Sequence, residues 1–324
     1  MAYAAGDSIL DDHYNGFLTG SSAGAYGINH IQGTGAGEYG LGLTALTGTS
    51  AGVTIQASQW NSLFTGMDNV ANHTNDTLTS TAARSAGDSI AFVSALQTDL
   101  NTLAASVAAG SPNATAVAEG GELQSSVASA RWNNSHIVEH SITFSSNAHL
   151  RYFFNAGGTM RMKFTRNGNG GGSATDKDDS VDEMITAVGN FDLKQTTSTR
   201  SGTGETLTTD GLANGVRDCS TSYLVLMRLT QSSGTYTTMY IQVSAKLDAA
   251  IATAVTVTMR YELNDPDTGD DEYTSGNTSS IDQYENFIGI TDFATHIVAP
   301  TTAQGLASVY TIASSAVVSN TTNA

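Results

Sequence analysis

The sequence predicts a β-rich α+β chain: a small N-terminal α/β repeat region followed by an antiparallel β-sandwich with one inserted helix. Three observations carry that expectation. Hydrophobic residues make up 40% of the 324 and charged residues only 13%, while Gly, Ser, Thr, Ala and Asn fill the rest. Hydroxyl-rich, lysine-poor stretches suit sheets, whereas a helical bundle wants Leu, Glu and Lys. Apolar residues recur at helical spacing in the first hundred residues, and the period drops to two from about residue 136. Short apolar runs separated by turn signals then recur to about residue 264, the spacing of a sandwich. The expected division is residues 1–132, a helix-containing repeat and docking region; 133–287, the sandwich; and 288–324, an extension or arm.

A repeat organises the N-terminal region. Ala5-Gly6-Asp7-Ser8-Ile9, Ala51-Gly52-Val53-Thr54-Ile55 and Ala86-Gly87-Asp88-Ser89-Ile90 each lead into a helical pattern. In the first two copies an aromatic-Asn pair begins five residues after the Ile, as Tyr14-Asn15 and Trp60-Asn61; the third shares only the lead-in. Tyr14, Phe17 and Leu18 lie at i, i+3, i+4, as do Trp60, Leu63 and Phe64, so each helix gains one apolar stripe. Asp11 and Ser58 are the expected N-caps. The Gly-rich stretch from Gly33 to Gly42 contains Glu38 and no Lys follows it. It reads as a turn-rich linker rather than a phosphate cradle. Ala91, Phe92, Leu96, Leu100 and Leu103 predict a third helix, and residues 113–132, without firm period, read as its continuation or a linker.

From His136 to Phe144 the mostly apolar set Val138, His140, Ile142 and Phe144 alternates with a polar set, the pattern of a half-buried antiparallel strand. The densest segment, His149 to Gly158, holds Leu150, Tyr152, Phe153 and Phe154 beside Arg151. It reads as a central hairpin strand, with Gly157-Gly158 turning into the strand from Thr159. Asp176 to Val188 reads as the inserted helix, with acids in its first turn, a stripe of Val181, Met184, Ile185 and Val188, and Gly189 as its stop. Further strands are expected at 222–230, 235–246 and 253–264, and short mixed runs beyond 288 suggest an arm or added strands.

The balance of 30 acids against 13 bases gives a formal charge of −17, which repels nucleic acid and anionic membranes; neither is an expected partner. Cys219 is the only cysteine, so no intrachain disulfide can form, and its position before an apolar run reads as a small buried side chain. No apolar run approaches the ~20 residues of a membrane span. Met1 to Asp7 lacks the basic start and apolar block of a signal peptide.

Candidate chemistry is thin. Asp265, Asp267, Asp270, Asp271 and Glu272 crowd one turn and offer oxygens to a hard cation. The EF-hand spacing fails, with Gly269 at the fifth position and Gly276 at the twelfth, so a solvated turn is expected. Asp176, Asp178, Asp179, Asp182 and Glu183 read as helix-start acids. His136 and His140 share one face of a strand about 13 Å apart, too far for one metal, so packing is expected. Gly20-Ser21-Ser22-Ala23-Gly24 and Gly48-Thr49-Ser50-Ala51-Gly52 match the nucleophile-elbow pattern, but neither lies between a strand and a helix. Glycosylation-type triplets at Asn72, Asn75, Asn113 and Asn277 are expected by composition. No catalytic residue, cofactor or metal is assigned, and the chain is not read as an enzyme.

Several segments together carry a resemblance. Ala4-Ala5-Gly6-Asp7-Ser8-Ile9 with Tyr14-Asn15, the Gly33–Gly40 stretch, Ile55 with Trp60-Asn61 and Ala71-Asn72-His73, and Thr143-Phe144-Ser145 leading to Arg151-Tyr152-Phe153-Phe154-Asn155-Ala156-Gly157-Gly158 occur in that order. The arrangement resembles a family of virion structural proteins of tailed phages, many from marine or other aquatic hosts, over roughly residues 1–285. The resemblance implies a particle component of tail, baseplate, neck or fibre, assembled in the host cytoplasm and released with the virion. Its implied partners are other virion proteins, copies of itself and, for a receptor-binding module, a host-surface glycan. It implies no catalytic residue.

Overall fold

A computed structural model describes residues 11–20, 26–34, 40–88, 93–109, 117–127, 134–167, 176–233, 236–266, 290–300 and 310–323. The chain forms two compact units. The first comprises Met1–Ala118, Ser146–Gly158 and Ala299–Thr311; the second comprises Glu119–Ser145, Thr159–Val298 and Ile312–Ala324.

The first unit is helical. Helix α1 (Asp11–Thr19) buries Tyr14, Phe17 and Leu18, and α2 (Ala57–Thr74) buries Trp60, Leu63, Phe64, Met67 and Val70. Helix α3 (Val93–Ala109) adds Leu96, Leu100, Leu103 and Val107, and all of these stripes meet in one core. Trp60 packs edge-on against Tyr14 at 5.3 Å. Ser58 is not the cap of α2: Gln56 is, its backbone N–H donating 2.7 Å to Gln59 Oε1. Of the third helix's expected stripe, Ala91 and Phe92 lie outside the described residues.

The densest sequence segment is a helix, α4 (Asn147–Asn155), not a sandwich strand. Leu150, Phe153 and Phe154 lie at i, i+3, i+4 and are buried, so the apolar residues that suggest a strand also make a helical stripe. Ser146 caps the start by accepting the His149 N–H at 3.3 Å. Gly157, at φ 88, ends it: its N–H donates to Phe154 O, and the Gly158 N–H donates back to Phe153 O at 2.8 Å. That is the left-handed stop glycine permits, rather than a strand turn.

The second unit is the sandwich. One sheet has the order β1-β10-β3-β4-β5, built from β1 (Val117–Val127), β3 (Thr159–Asn167), β4 (Asn190–Leu193), β5 (Thr199–Arg200) and β10 (Ile290–Pro300). The other has the order β11-β2-β9-β8-β7-β6, from β2 (Ser135–Phe144), β6 (Thr206–Asp210), β7 (Leu224–Thr230), β8 (Tyr240–Leu247), β9 (Thr256–Asn264) and β11 (Ile312–Asn323). The registered pairs are antiparallel. Residues 117–127, expected as helix or linker, are therefore a strand held by a partner far along the chain. The expected arm, 288–324, supplies β10 to one sheet and β11 to the other.

The inner faces meet through aromatic rings. Phe164 of β3 and Phe293 of β10 lie 5.0 Å apart, and Tyr261 of β9 stacks on Phe293 at 6.0 Å. Each such side chain contributes about 1.5–3 kcal/mol by leaving water. Helix α5 (Asp176–Val188) is the inserted helix, burying Val181, Met184 and Val188. The Gly189 N–H closes it onto Ile185 O at 2.9 Å with φ 60, the stop expected.

Candidate functional site

Polar chemistry gathers in four places: a histidine seam between the sheets, an ion cluster at α5, amide clamps on the helices of the first unit, and the outer edge of β11.

The seam grows from the inward row of β2. His136 and His140, 0% exposed, point at β10. His136 Nδ1 lies 2.7 Å from Thr291 Oγ1 and its Nε2 2.9 Å from Asn320 Oδ1. Because Asn320 Oδ1 only accepts, Nε2 carries the proton and Nδ1 accepts from the threonine hydroxyl. His140 bridges Thr295 Oγ1 at 2.8 Å and Ser126 Oγ at 2.8 Å, and Thr295 Oγ1 also meets Tyr261 Oη at 2.5 Å. Burial lowers both histidines to about 4; at His136 the Asn320 hydrogen bond and the Asp292 charge push weakly the other way. Burial raises Tyr261. Every ring nitrogen of the two histidines has a partner from the protein itself, so the seam is packing with its hydrogen bonds satisfied, as expected for this pair.

Two of the acids of α5 are held by a cation of the chain itself. Arg166 of β3 pairs with Asp182 through both guanidinium arms and lies 3.6 Å from Asp178, whose side chain is 0% exposed. Lys177 Nζ reaches Asp265 Oδ2 at 2.7 Å with both side chains buried, and lies 5.3 Å from the Tyr236 ring centre. Asp179 is exposed and Glu183 accepts from Gln231. Thus the first residue of the acidic turn is a buried ion-pair partner, and 267–272 lie outside the described residues. No three His, Cys, Asp or Glu among the described residues are arranged to hold a metal ion.

The remaining sequence candidates separate. Ser50 is exposed on a turn closed by the Val53 N–H to Ser50 O at 3.1 Å; Ser22 lies outside the described residues. Cys219 is buried, its thiol pushed up to about 12 by burial and then by the Asp218 charge, away from the thiolate that nucleophilic cysteines use. Asn113 and Asn277 lie outside the described residues.

The repeat's asparagines have a geometry that residue patterns alone do not show. Asn15 Nδ2 donates to Thr49 O at 2.8 Å while the Thr49 N–H donates to Asn15 Oδ1 at 2.9 Å. Asn61 does the same to Arg84, at 3.0 and 2.8 Å. Asn29, outside the repeat, grips Leu46 likewise at 2.8 and 2.7 Å. Each amide satisfies both backbone groups of one residue, as a neighbouring strand would. Beyond the two repeat clamps come matching turns, Ser50–Val53 and Ser85–Asp88, with Gly52 at φ 79 and Gly87 at φ 93. A groove of about 470 Å³ lies beside α2, lined by the polar Asn61, Thr65, Asn69 and Gln32 and the apolar Leu43 and Leu46.

β11 ends the six-stranded order, and no described strand pairs with its outer side. It runs for 12 residues, Ile312–Asn323, with no charged residue and no proline. Register shifts leave Ala313 and Val318 without a partner across β2, and Val317 and Val318 are 43% and 54% exposed. Among the described residues no helix is long and apolar enough to cross a membrane. No protein-family model, curated protein or solved structure matches the chain.

Proposed function

We propose that the chain is a structural component of a tailed-phage virion, in the tail, baseplate, neck or fibre, and that it acts through assembly contacts with other virion proteins and with copies of itself. The observation that carries the assembly reading is the outer edge of β11. Sheet edges in proteins that remain single are blunted by charge, proline, short length or bulges. This one has two bulges, but it is long, without charge or proline, and carries two adjacent exposed valines. In a chain of formal charge −17, an uncharged strand is also where like-charge repulsion between copies is weakest. The phage setting rests on the resemblance of the segments quoted above, and location in the virion follows from it. The buried, internally paired state of His136, His140, Asp178 and Cys219 supports a structural rather than a catalytic role.

The alternative, a receptor- or glycan-binding module of the virion, draws on the groove beside α2, where amides and hydroxyls stand next to Leu43 and Leu46. Sugar recognition favours open aromatic faces, but on the sandwich Arg228 covers Tyr240 at 4.2 Å and Lys246 covers Tyr223 at 4.3 Å. Sedimentation of the purified chain across a concentration series, with mass spectrometry of particles, tests the leading reading. It expects self-association that weakens when Val317 and Val318 become Lys, and the chain present in particles. A monomer at every concentration, absent from particles, refutes it. Binding on a glycan array that is lost when groove residues are replaced favours the alternative.

A further inference from the structure

We propose that Lys177 and Asp265 become joined by an amide bond between Lys177 Nζ and Asp265 Cγ, a covalent cross-link from the first turn of α5 to the end of β9. Their contact of 2.7 Å between Nζ and Oδ2 sets the amine beside the carboxyl carbon, and both side chains are buried, at 1% and 2% exposure. A carboxyl oxygen at that distance from an amine places its carbon about 3–4 Å from the nitrogen, close to the range from which addition begins. The arrangement is held from both sides. The Asp265 N–H donates to Asn134 O at 2.8 Å, and the ring of Tyr236, itself 4% exposed, faces the Lys177 amine. Of the chain's four lysines the other three, Lys163, Lys194 and Lys246, are only partly buried.

Buried lysines are rare, and a buried ion pair is often no more stabilising than apolar residues of the same volume. The pair at 177 and 265 therefore needs a reason beyond attraction. Addition needs the neutral amine and the neutral acid, which differ from the ion pair by the position of one proton. One proton passes from the ammonium to the carboxylate. The nitrogen lone pair then adds to Cγ, the C–O bond of the protonated oxygen breaks, and one water leaves with the second amine proton. The product is an amide, no electron is gained or lost, and no co-reactant is needed. Both buried charges disappear while the contact between α5 and β9 remains. With a single cysteine, the chain has no intramolecular disulfide as another route to a covalent brace.

The test is tryptic mapping and intact mass of the purified, denatured full chain. The expected protein is lighter than its sequence by the mass of one water. It gives one branched peptide containing Lys177 and Asp265, with no cleavage after Lys177, because an amide nitrogen there is no longer a trypsin site. The Lys177→Arg and Asp265→Ala chains carry full mass, and Asp265→Asn forms the same bond with loss of ammonia instead of water. Full mass for the unaltered chain, with Lys177 cleaved and the Asp265 peptide recovered separately, overturns the proposal and leaves a plain ion pair. That result needs no variant to fold. A branched peptide that persists in Asp265→Ala overturns it equally.

Discussion

Lowering the pH from about 7 to about 5 is expected to remove a large share of the sandwich's stability through the histidine seam. His136 and His140 are wholly buried, and burial depresses both to about 4, against a value near 6.5 in an unfolded chain. The folded state holds them neutral; the unfolded state takes up protons as the pH falls through 6.5. Between about 6.5 and 4 the unfolded chain therefore binds more protons, and stability falls with falling pH; above 6.5 neither state is protonated and the contribution is flat. At pH 5 each site lies about 1.5 pH units inside that window, so each removes about 2 kcal/mol and the pair about 4. Against a typical total of about 5–15 kcal/mol this is a large loss. Urea unfolding at a series of pH values measures it, and a His136→Gln, His140→Gln double variant is the control. The variant is less stable at pH 7 because its amides fill the seam less well, but its stability changes less between pH 7 and pH 5. Parallel loss in variant and unaltered chain over that range refutes the seam as the cause. His73, in the first unit, is likewise lowered to about 4, chiefly by burial against a contact with Asn155 O that raises it, and adds a further loss of the same sign.

Other consequences follow from the same structure. Asn61→Ala removes both bonds to Arg84, leaves a backbone residue without its partner, and is expected to lower stability by about 1–3 kcal/mol; Asn61→Asp, which keeps the acceptor but loses the donor, falls between, as urea midpoints will show. Phe153→Ala empties a site at 0% exposure in α4 and is expected to cost about 3–5 kcal/mol, whereas Tyr152→Ala on the part-exposed side of α4 costs far less; equal effects would argue against the helix. Arg166→Met removes the guanidinium that faces the buried Asp178 and pairs with Asp182, and a loss of about 3–5 kcal/mol is expected in thermal or urea melts.

How far the fold was legible depended on how local its causes are. β2 shows in the sequence because Val138, His140, Ile142 and Phe144 all face one way, and α5 because its stripe and Gly189 lie within a dozen residues. β1 shows no period of its own; what holds it is β10, some 170 residues later. The packing role of His136 and His140 could be inferred from strand spacing, but not their partners Thr291 and Thr295, each 155 residues away. The segment around Phe153 failed for a different reason. Aromatic residues favour strands, and Gly-Gly ends strands and helices alike. The decisive signals were the three-and-four spacing of Leu150, Phe153 and Phe154 and the capping Ser146, both local and both outweighed by composition.

The repeat shows how a weak pattern gains physical content. Thr49 and Arg84, the residues clamped by Asn15 and Asn61, each stand two positions before the Ala-Gly of the next copy. The asparagine of one copy therefore fixes the lead-in of its successor, and the glycine that follows, at positive φ in both cases, turns the chain toward the next helix. In the third copy the equivalent position, six residues after the Ile, is Leu96, fully buried in the helical core. A leucine cannot pair with an extended backbone, so the succession of clamps stops there. The strand β1 that follows α3 takes its backbone partner from a sheet instead of from a side chain.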